Sequence, residues 1–370
     1  MSEADFRLGG WQVSLRWELR QKQTPLLSAL TLLAALAMGF LCVGLAFMLL
    51  GVDPLFALGK IFLGSFGSLY GWKETLTKGI PLFLISGGLC VAYQAKFWNI
   101  GAESQLLMGA VWSTWFGLRF GESISPGLGI PLLFLVGFLG GALWGVIPAL
   151  LKVRFGMSEV ISTLMLNYVA AEFVSYLIVG PWKGKSKYGY PYTEDLPKHL
   201  LLGTIPGTRI HYITLALGIV ISLLLFLLLY RTKFGYEVRV VGESPEAARY
   251  AGIDYVRTVV SVMIISGGVA GMAGVGEVAG IHHHLSYPGN ISAGYGFTAI
   301  ITAWLGNLNP LGGLLSGLFF AGILVGGDAI QISLRLPAAT VHIFNGILLF
   351  VLLLGNFFLN HRPVLQIRRR

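Results

Sequence analysis

The sequence predicts an all-α polytopic membrane protein with about ten transmembrane segments, arranged as an inverted repeat with broken or short helices at 97–110 and 289–306. Three observations support this class. Of the 370 residues, 55% are hydrophobic and 12% are charged, whereas soluble domains carry about 25% charged residues. Apolar runs long enough to cross a bilayer recur along the chain. The 50 glycines are typical of membrane helices that approach one another closely.

The apolar segments follow one another along most of the chain. They are expected at 28–50, 77–95, 100–118, 129–151, 159–180, 212–230, 257–281, 292–306, 310–331 and 338–360. Most are long enough for a hydrocarbon core of about 30 Å. Segments 100–118 and 292–306 are weaker, because the first begins with polar residues and the second is short. Each is expected to be a broken or re-entrant helix.

Basic residues beside the spans predict the orientation, since cytoplasmic loops of membrane proteins are enriched in lysine and arginine. The N-terminal arm 1–27, the loop 231–256 and the tail 361–370 are all basic, which places them in the cytoplasm. The transmembrane domain then covers 28–360, with both chain termini cytoplasmic. The loop 181–211 is expected to be extracytoplasmic, although its own basic residues run against the rule.

A faint internal repeat relates the two halves of this domain. Residues 140–160 align without gaps with residues 321–341, and five positions match. The expected topology places an odd number of spans between the two copies, so they would be inverted in the membrane. In transporters with inverted repeats, short glycine-interrupted segments at corresponding positions mark the passage. Here those segments are 97–110 and 289–306.

The stretch "KFWNIGAESQLLMGA" (96–110) places polar side chains in apolar surroundings. Asn99 and Glu103 are four residues apart and can share one helix face. Gln105 is two residues beyond Glu103, about 200° around a helix of 3.6 residues per turn, so one regular helix cannot present all three to a passage. Either the backbone is irregular near Gly101 or Gln105 faces a neighbouring helix. We expect the irregular backbone.

Other polar groups lie inside the predicted spans, where they usually face a cavity or a partner. Asn167 either bonds a neighbouring helix or lines a route, and the same alternatives hold for Glu172. Glu277 and Asp328 lie near predicted outer ends, where water can reach them.

Two motifs argue against chemistry in this chain. Three consecutive histidines, His282–His284, point about 100° apart on a helix and cannot jointly ligate one metal ion. "VGPWKGKS" (179–186) has three residues between its glycines, whereas a phosphate-binding P-loop needs four. The sequence therefore predicts no bound cofactor, no metal site and no ATP site.

The loop 231–256 contains a short helix with visible start and stop signals. Ser244 can cap it, Pro245 suits its first turn, Glu246 favours its positive end, and Gly252 can end it. A capped cytoplasmic helix between two spans indicates a docking element.

Four motifs together resemble a known family. They are "FWNIGAESQLLMGA", "MSEVISTLMLNYVA", "FGYEVRVVGESPEAARYAGI" and "AGYGFTAIITAWLGNLNPLGG". They are similar to the membrane subunits of bacterial ABC importers, in the nucleoside and simple-sugar branch related to branched-chain amino acid and ribose permeases. The resemblance covers about 77–360 of the chain. Glu243 and Ser104 depart from the pattern, which often has asparagine and glycine there.

The resemblance implies a set of partners in the bacterial cytoplasmic membrane. A homologous permease is the second subunit, a cytoplasmic ABC ATPase uses the ATP, and an extracytoplasmic binding protein delivers the solute. No nucleic acid is expected as a partner; the lipid bilayer surrounds the chain. The coupling helix that contacts the ATPase corresponds here to Gly242, Glu243, Ser244, Glu246, Ala247, Ala248, Arg249 and Gly252.

The hypothesis is therefore an importer permease for nucleosides or a similar ribosyl or sugar solute. Its pathway is expected to be lined by Asn99, Glu103, Gln105, Asn167, Tyr295 and Phe297. One alternative is a self-sufficient secondary transporter with Glu103 or Glu172 as proton carrier. Another is an intramembrane enzyme with a site at His282–His284.

Overall fold

The structure is a computed structural model that describes residues 4–8, 11–19, 25–334 and 361–369, with short helical pieces at 343–344, 346–348, 350–351, 354–355 and 357–358. It divides into two compact units. One comprises Met1–Lys60 and Ile330–Arg370, and the other comprises Ile61–Ala329.

The first unit pairs the two ends of the chain. Strands β1 (Ala4–Leu8), β2 (Trp11–Leu19) and β3 (His361–Arg369) form an antiparallel sheet in the order β1-β2-β3. In its register Ala4 lies opposite Leu15, and Trp11 lies opposite Arg369. Helix α1 (Pro25–Leu49) follows β2. The terminal sheet was not predicted, because residues 1–27 were assigned only as a basic arm. The strand signal is nevertheless present in β2, where Trp11, Val13, Leu15, Trp17 and Leu19 alternate with polar residues.

The second unit is helical, as predicted. Helices α2 (Pro54–Phe66) and α13 (Pro310–Leu334) cross its boundaries. Between them lie α3 (Leu69–Gln94), α4 (Ala102–Phe120), α5 (Pro126–Phe155), α6 (Glu159–Val179), α7 (Tyr212–Arg231), α8 (Lys233–Glu243), α9 (Pro245–Tyr250), α10 (Tyr255–Gly276), a π-helix (Glu277–His282), α11 (Pro288–Ile291) and α12 (Tyr295–Leu305).

The prediction of about ten spans is not supported. Among the described residues, 6 helices are long and apolar enough to cross a membrane: Leu69–Gln94, Pro126–Phe155, Glu159–Val179, Tyr212–Arg231, Tyr255–His282 and Pro310–Leu334. Helix α4 is long enough, but the polar residues of its first turn lower its hydropathy, and α12 has only 11 residues. The described apolar part of α1, Leu33–Leu49, is also shorter than a span.

Part of the repeat prediction falls outside the described residues. Positions 335–341 of the second copy are not described, and neither is most of the predicted span 338–360. The inverted repeat therefore stays a prediction. The two breaks are present, however. The backbone is non-helical just before α4, and only a turn separates α11 from α12.

Glycines set the packing of α4, α5 and α10 at the centre of this unit. The four-residue spacing of Gly137, Gly141 and Gly145 predicts a close crossing, and the structure confirms it. A side chain at Gly141 would collide with the carbonyl oxygen of Gly267, and one at Gly109 would collide with Gly271. Because their backbones are in contact, α4, α5 and α10 are fixed relative to one another. These contacts also fix the position of the start of α4.

Candidate functional site

The start of α4 is capped by a side chain from another helix. Its own N-cap residue, Gly101, has no side chain to offer. Instead the Asn167 Oδ1 on α6 accepts from the Ser104 N–H at 3.1 Å, and the Asn167 Nδ2 donates to the Ile100 carbonyl at 3.0 Å. The Ser104 N–H is the third of the helix, which is a usual target of an N-cap oxygen. Asn167 thus supplies hydrogen-bond partners to backbone groups on both sides of the break before α4.

A buried pair of amides holds the irregular stretch in front of α4. The Asn99 Nδ2 donates to the Gln105 Oε1 at 2.9 Å, and the Gln105 Nε2 donates to the Asn99 Oδ1 at 3.1 Å. Asn99 also donates to the Ser266 hydroxyl and accepts from the Gly101 N–H. Both side chains are buried. The expected irregular backbone is present, with Asn99 outside the helix and Gln105 in it.

These three amides, Asn99, Gln105 and Asn167, form what we call the amide junction. Their donors and acceptors are directed at one another, at the Ser266 hydroxyl and at the backbone, and all three are buried. Buried polar groups in an apolar setting must be paired in this way. A role in lining a passage stays a prediction for them.

Glu103 caps the start of α12, as Asn167 caps the start of α4. The N-cap of α12 is Gly294, which has no side-chain cap hydrogen bond. The Glu103 Oε2 accepts from the Gly296 N–H at 2.8 Å, and Ser292, Gly294 and Phe297 surround the same carboxylate. A side chain on Gly296 would collide with the backbone of Glu103. The carboxylate lies at the positive ends of both α4 and α12, where a negative charge is stabilising.

The two predicted aromatic residues of α12 lie in different environments. Tyr295 is buried, and the charges of Glu277, Asp328, Arg209 and Glu74 act on its hydroxyl. Phe297 is 40% exposed. The structure therefore brings Glu103 to the first turn of α12 and places Asn99, Gln105 and Asn167 around the start of α4.

Sequence reasoning missed an aromatic stack beside the break. The rings of Trp98 and Trp304 are 5.4 Å apart and nearly parallel, and Tyr93 lies 5.7 and 5.8 Å from them. Trp98 is half-exposed. The sequence signal was Trp98, next to Asn99 in the polar stretch. Its partner Trp304 is 206 positions further along the chain (304 − 98), so the stack could not be predicted from local sequence.

The loop 181–211 packs against the histidine segment. Backbone N–H groups of Thr193, Leu196 and Leu202 donate to carbonyls of Leu285, His283 and Ala279. Asp195 pairs with Lys187 at 2.6 Å and with His284 at 3.1 Å. Among the described residues, no group of three or more histidine, cysteine, aspartate or glutamate side chains is placed to hold a metal ion.

The short helix of the 231–256 loop forms with the signals that its sequence carries. The Ser244 hydroxyl accepts from the Ala247 N–H at 3.2 Å, Pro245 is its first residue, and Gly252 adopts a positive φ of 73° just after it. Ala247 is exposed, whereas Ala248 is buried. Of these two adjacent alanines, only Ala247 is therefore accessible to a partner.

The other coupling-helix positions in this loop also divide into buried and exposed residues. A side chain at Gly242 would collide with the Gln94 carbonyl oxygen at the end of α3, so Gly242 faces inward. Glu243, Glu246, Arg249 and Gly252 are exposed. So is Tyr250, at 95%, which the sequence analysis did not single out. An exposed tyrosine at the end of a rigid helix is typical of contact residues in protein interfaces.

Comparisons with known proteins identify relatives over most of the chain. Residues 71–353 match the family described as the permease component of the branched-chain amino acid transport system. The glucose ABC transporter permease protein TsgB13 of Haloferax volcanii is 34% identical, over 92% of this chain and 90% of its own length. The nucleoside ABC transporter permease protein NupB of Lactococcus lactis is 31% identical, over 80% and 82%. The guanosine ABC transporter permease protein NupP of Bacillus subtilis is 28% identical, over 86% and 90%.

Proposed function

The chain belongs to the family of permease components of the branched-chain amino acid transport system, and from this premise we propose that it forms half of the translocation pathway of an ABC importer. The proposed solute is a nucleoside or a similar ribosyl or sugar molecule. Relatives named for glucose, nucleosides and guanosine support this solute class, because all three carry a ring with several hydroxyl groups.

The observation that carries the proposal is the family match across 71–353, together with two helices that begin inside the protein. Helices α4 and α12 start at breaks and meet at Glu103. Discontinuous helices of this kind line solute sites in many transporters. The chain would do no chemistry itself, and a separate ATPase would supply the energy by switching the pathway between outward-open and inward-open states.

The proposed contact with the ATPase is the α8–α9 region. Its exposed residues Glu243, Glu246, Ala247, Arg249 and Tyr250 would meet the cleft of that subunit. Gly242 touches Gln94 at the end of α3, and the Gln94 side chain donates to the Leu308 carbonyl between α12 and α13. Movement of the docked helix would therefore reach the helices of the pathway directly. In this arrangement both chain termini are cytoplasmic.

A second permease and an extracytoplasmic binding protein complete the proposed importer. The experiment is reconstitution of all subunits in proteoliposomes, with labelled guanosine and labelled glucose as probes. We expect uptake that needs ATP hydrolysis and stops with a non-hydrolysable analogue. Uptake by this chain alone, driven by an ion gradient, would refute the proposal and support the secondary transporter.

The structure gives that alternative little support. A proton carrier must exchange protons with water, but the Glu103 carboxylate is engaged as the cap of α12. Glu172 is exposed on α6 in the isolated chain.

A further inference from the structure

Two charged side chains form an ion pair inside membrane-spanning helices. Lys78 on α3 pairs with Asp328 on α13. Lys78 lies nine residues after the start of α3 at Leu69, about 13 Å along the helix at 1.5 Å per residue. The Asp328 side chain is 50% exposed. A half-exposed carboxylate within a span usually faces a water-filled cavity or another protein surface.

A second carboxylate lies nearby without a direct partner. Glu277 opens the π-helix and is only 4% exposed. Among the described residues its carboxylate has no hydrogen bond or ion pair. The positive charges of Lys78 and Arg209 act on it from beyond contact distance. Buried carboxylates are normally paired, so this one has hydrogen-bonding capacity left for a ligand. Single-turn π-helices are also frequent at functional sites.

The same groups act electrostatically on one buried tyrosine. The charges of Glu277 and Asp328 both act on Tyr295, at the first position of α12. Arg209 is held at the edge by Glu74, at 3.5 Å. We call Lys78, Asp328, Glu277 and Tyr295 the charged cluster. Its members come from α3, α13, the π-helix and α12, and Lys78 and Asp328 are in direct contact.

We propose that the charged cluster is the solute-binding site and that it holds the ring hydroxyls of a neutral polyol, such as a ribosyl or hexosyl ring. This rests on the proposed function. The carboxylates of Asp328 and Glu277 accept from hydroxyls, and the Lys78 ammonium and the Tyr295 hydroxyl donate to them. Two neighbouring hydroxyls can engage two of these groups at once.

The experiment uses the purified complex of both permeases and the ATPase. The binding protein is left out, because its own affinity for the solute would add to the measured binding. Binding of labelled guanosine and labelled glucose is measured at equilibrium, with 2′,3′-dideoxyguanosine as competitor for guanosine. We expect Glu277→Gln and Asp328→Asn to weaken binding at least tenfold. We also expect them to abolish the preference for guanosine over its dideoxy analogue. Glu172→Gln, a carboxylate on another span, is the matched control and should bind as the native chain does.

A purely structural ion pair is tested by the exchange Lys78→Asp with Asp328→Lys, which keeps the pair. Assembly and basal ATP hydrolysis verify that this variant folds. The proposal expects the exchange to leave binding impaired, because donor and acceptor have changed places. Full recovery of binding, unchanged binding in Glu277→Gln, or no binding by the native complex would each overturn it. Failure of the proposed function is distinct, since the complete native importer would then transport neither probe.

Discussion

The amide junction and the charged cluster are both polar regions in an apolar protein, but they use their polarity differently. At the junction, Asn99, Gln105 and Asn167 bond one another and the broken backbone, and all are buried. In the charged cluster, Asp328 is half-exposed and Glu277 lacks a direct partner among the described residues. A polar residue in a span therefore does not by itself mark a solute site, because its hydrogen-bonding groups can be used up within the protein.

The largest expected effect on stability is at the centre of the junction. Gln105→Leu removes both hydrogen bonds of the amide pair and leaves polar atoms of Asn99 buried without those partners, which should cost about 2–3 kcal/mol of the free energy of unfolding. Thermal unfolding in detergent measures it. Ser104→Ala is the control, because it removes one neighbouring hydroxyl bond to the Gly101 carbonyl and keeps the junction. Equal losses in the two variants would contradict a scaffold role of the pair.

The next effect is at the cap of α4. Asn167→Ala should destabilise the protein by about 1–2 kcal/mol, as loss of an N-cap does. The Ile100 carbonyl also loses a donor. Thermal unfolding measures the change, with Asn167→Asp as the partner variant, since aspartate keeps an acceptor oxygen at the same distance from its backbone for the Ser104 N–H. If Asn167→Ala keeps its stability but loses solute binding, then Asn167 belongs to the pathway and the comparison above fails.

A third variant separates both regions from coupling to the ATPase. Ser244→Ala removes the cap of α9, which is worth about 1 kcal/mol to that helix. ATP-driven uptake should fall, while solute binding to the complex should not change. Ser244→Asp keeps a capping oxygen and should restore uptake. A loss of solute binding in Ser244→Ala would show that the loop acts on the site itself.

The smallest effect is expected at Glu103. Glu103→Gln keeps an acceptor for the Gly296 N–H and removes only the charge at the helix ends, for about 0.3–1 kcal/mol. Uptake should survive. This is the sharpest test against a proton carrier, because a carrier that cannot ionise stops transport completely. Abolished uptake in a stable Glu103→Gln protein would revive the secondary transporter.

Much of the fold was readable because its signals are local. The break before α4 follows from polar residues around Gly101, and helix α9 follows from Ser244, Pro245 and Gly252, all within one short stretch. The helical class follows from composition. The predicted span count is not supported among the described residues, because apolar character does not give helix length: α12 ends after 11 residues.

The site was less predictable because its contacts are not local. Asn99, Glu103 and Gln105 are close together in the chain, but the structure gives them different partners. Asn99 and Gln105 bond each other, whereas Glu103 bonds Gly296 on a distant helix. From the sequence, Asp328 and Glu277 were expected near the outer ends of spans, where water can reach them. The pairing with Lys78 instead places Asp328 beside the third turn of α3. Such pairings cannot be derived from one sequence.

The cap that Glu103 provides has a consequence for how the protein is made. Glu103 and Gly296 are 193 residues apart. At a synthesis rate of about 5–20 residues per second, the second half of this contact emerges from the ribosome about 10–40 s after the first. Asn167 follows Ser104 by only 63 residues, so α4 gains its own cap well before it can give one to α12. During that interval the Glu103 carboxylate has no α12 to cap, because that helix has not yet been synthesised.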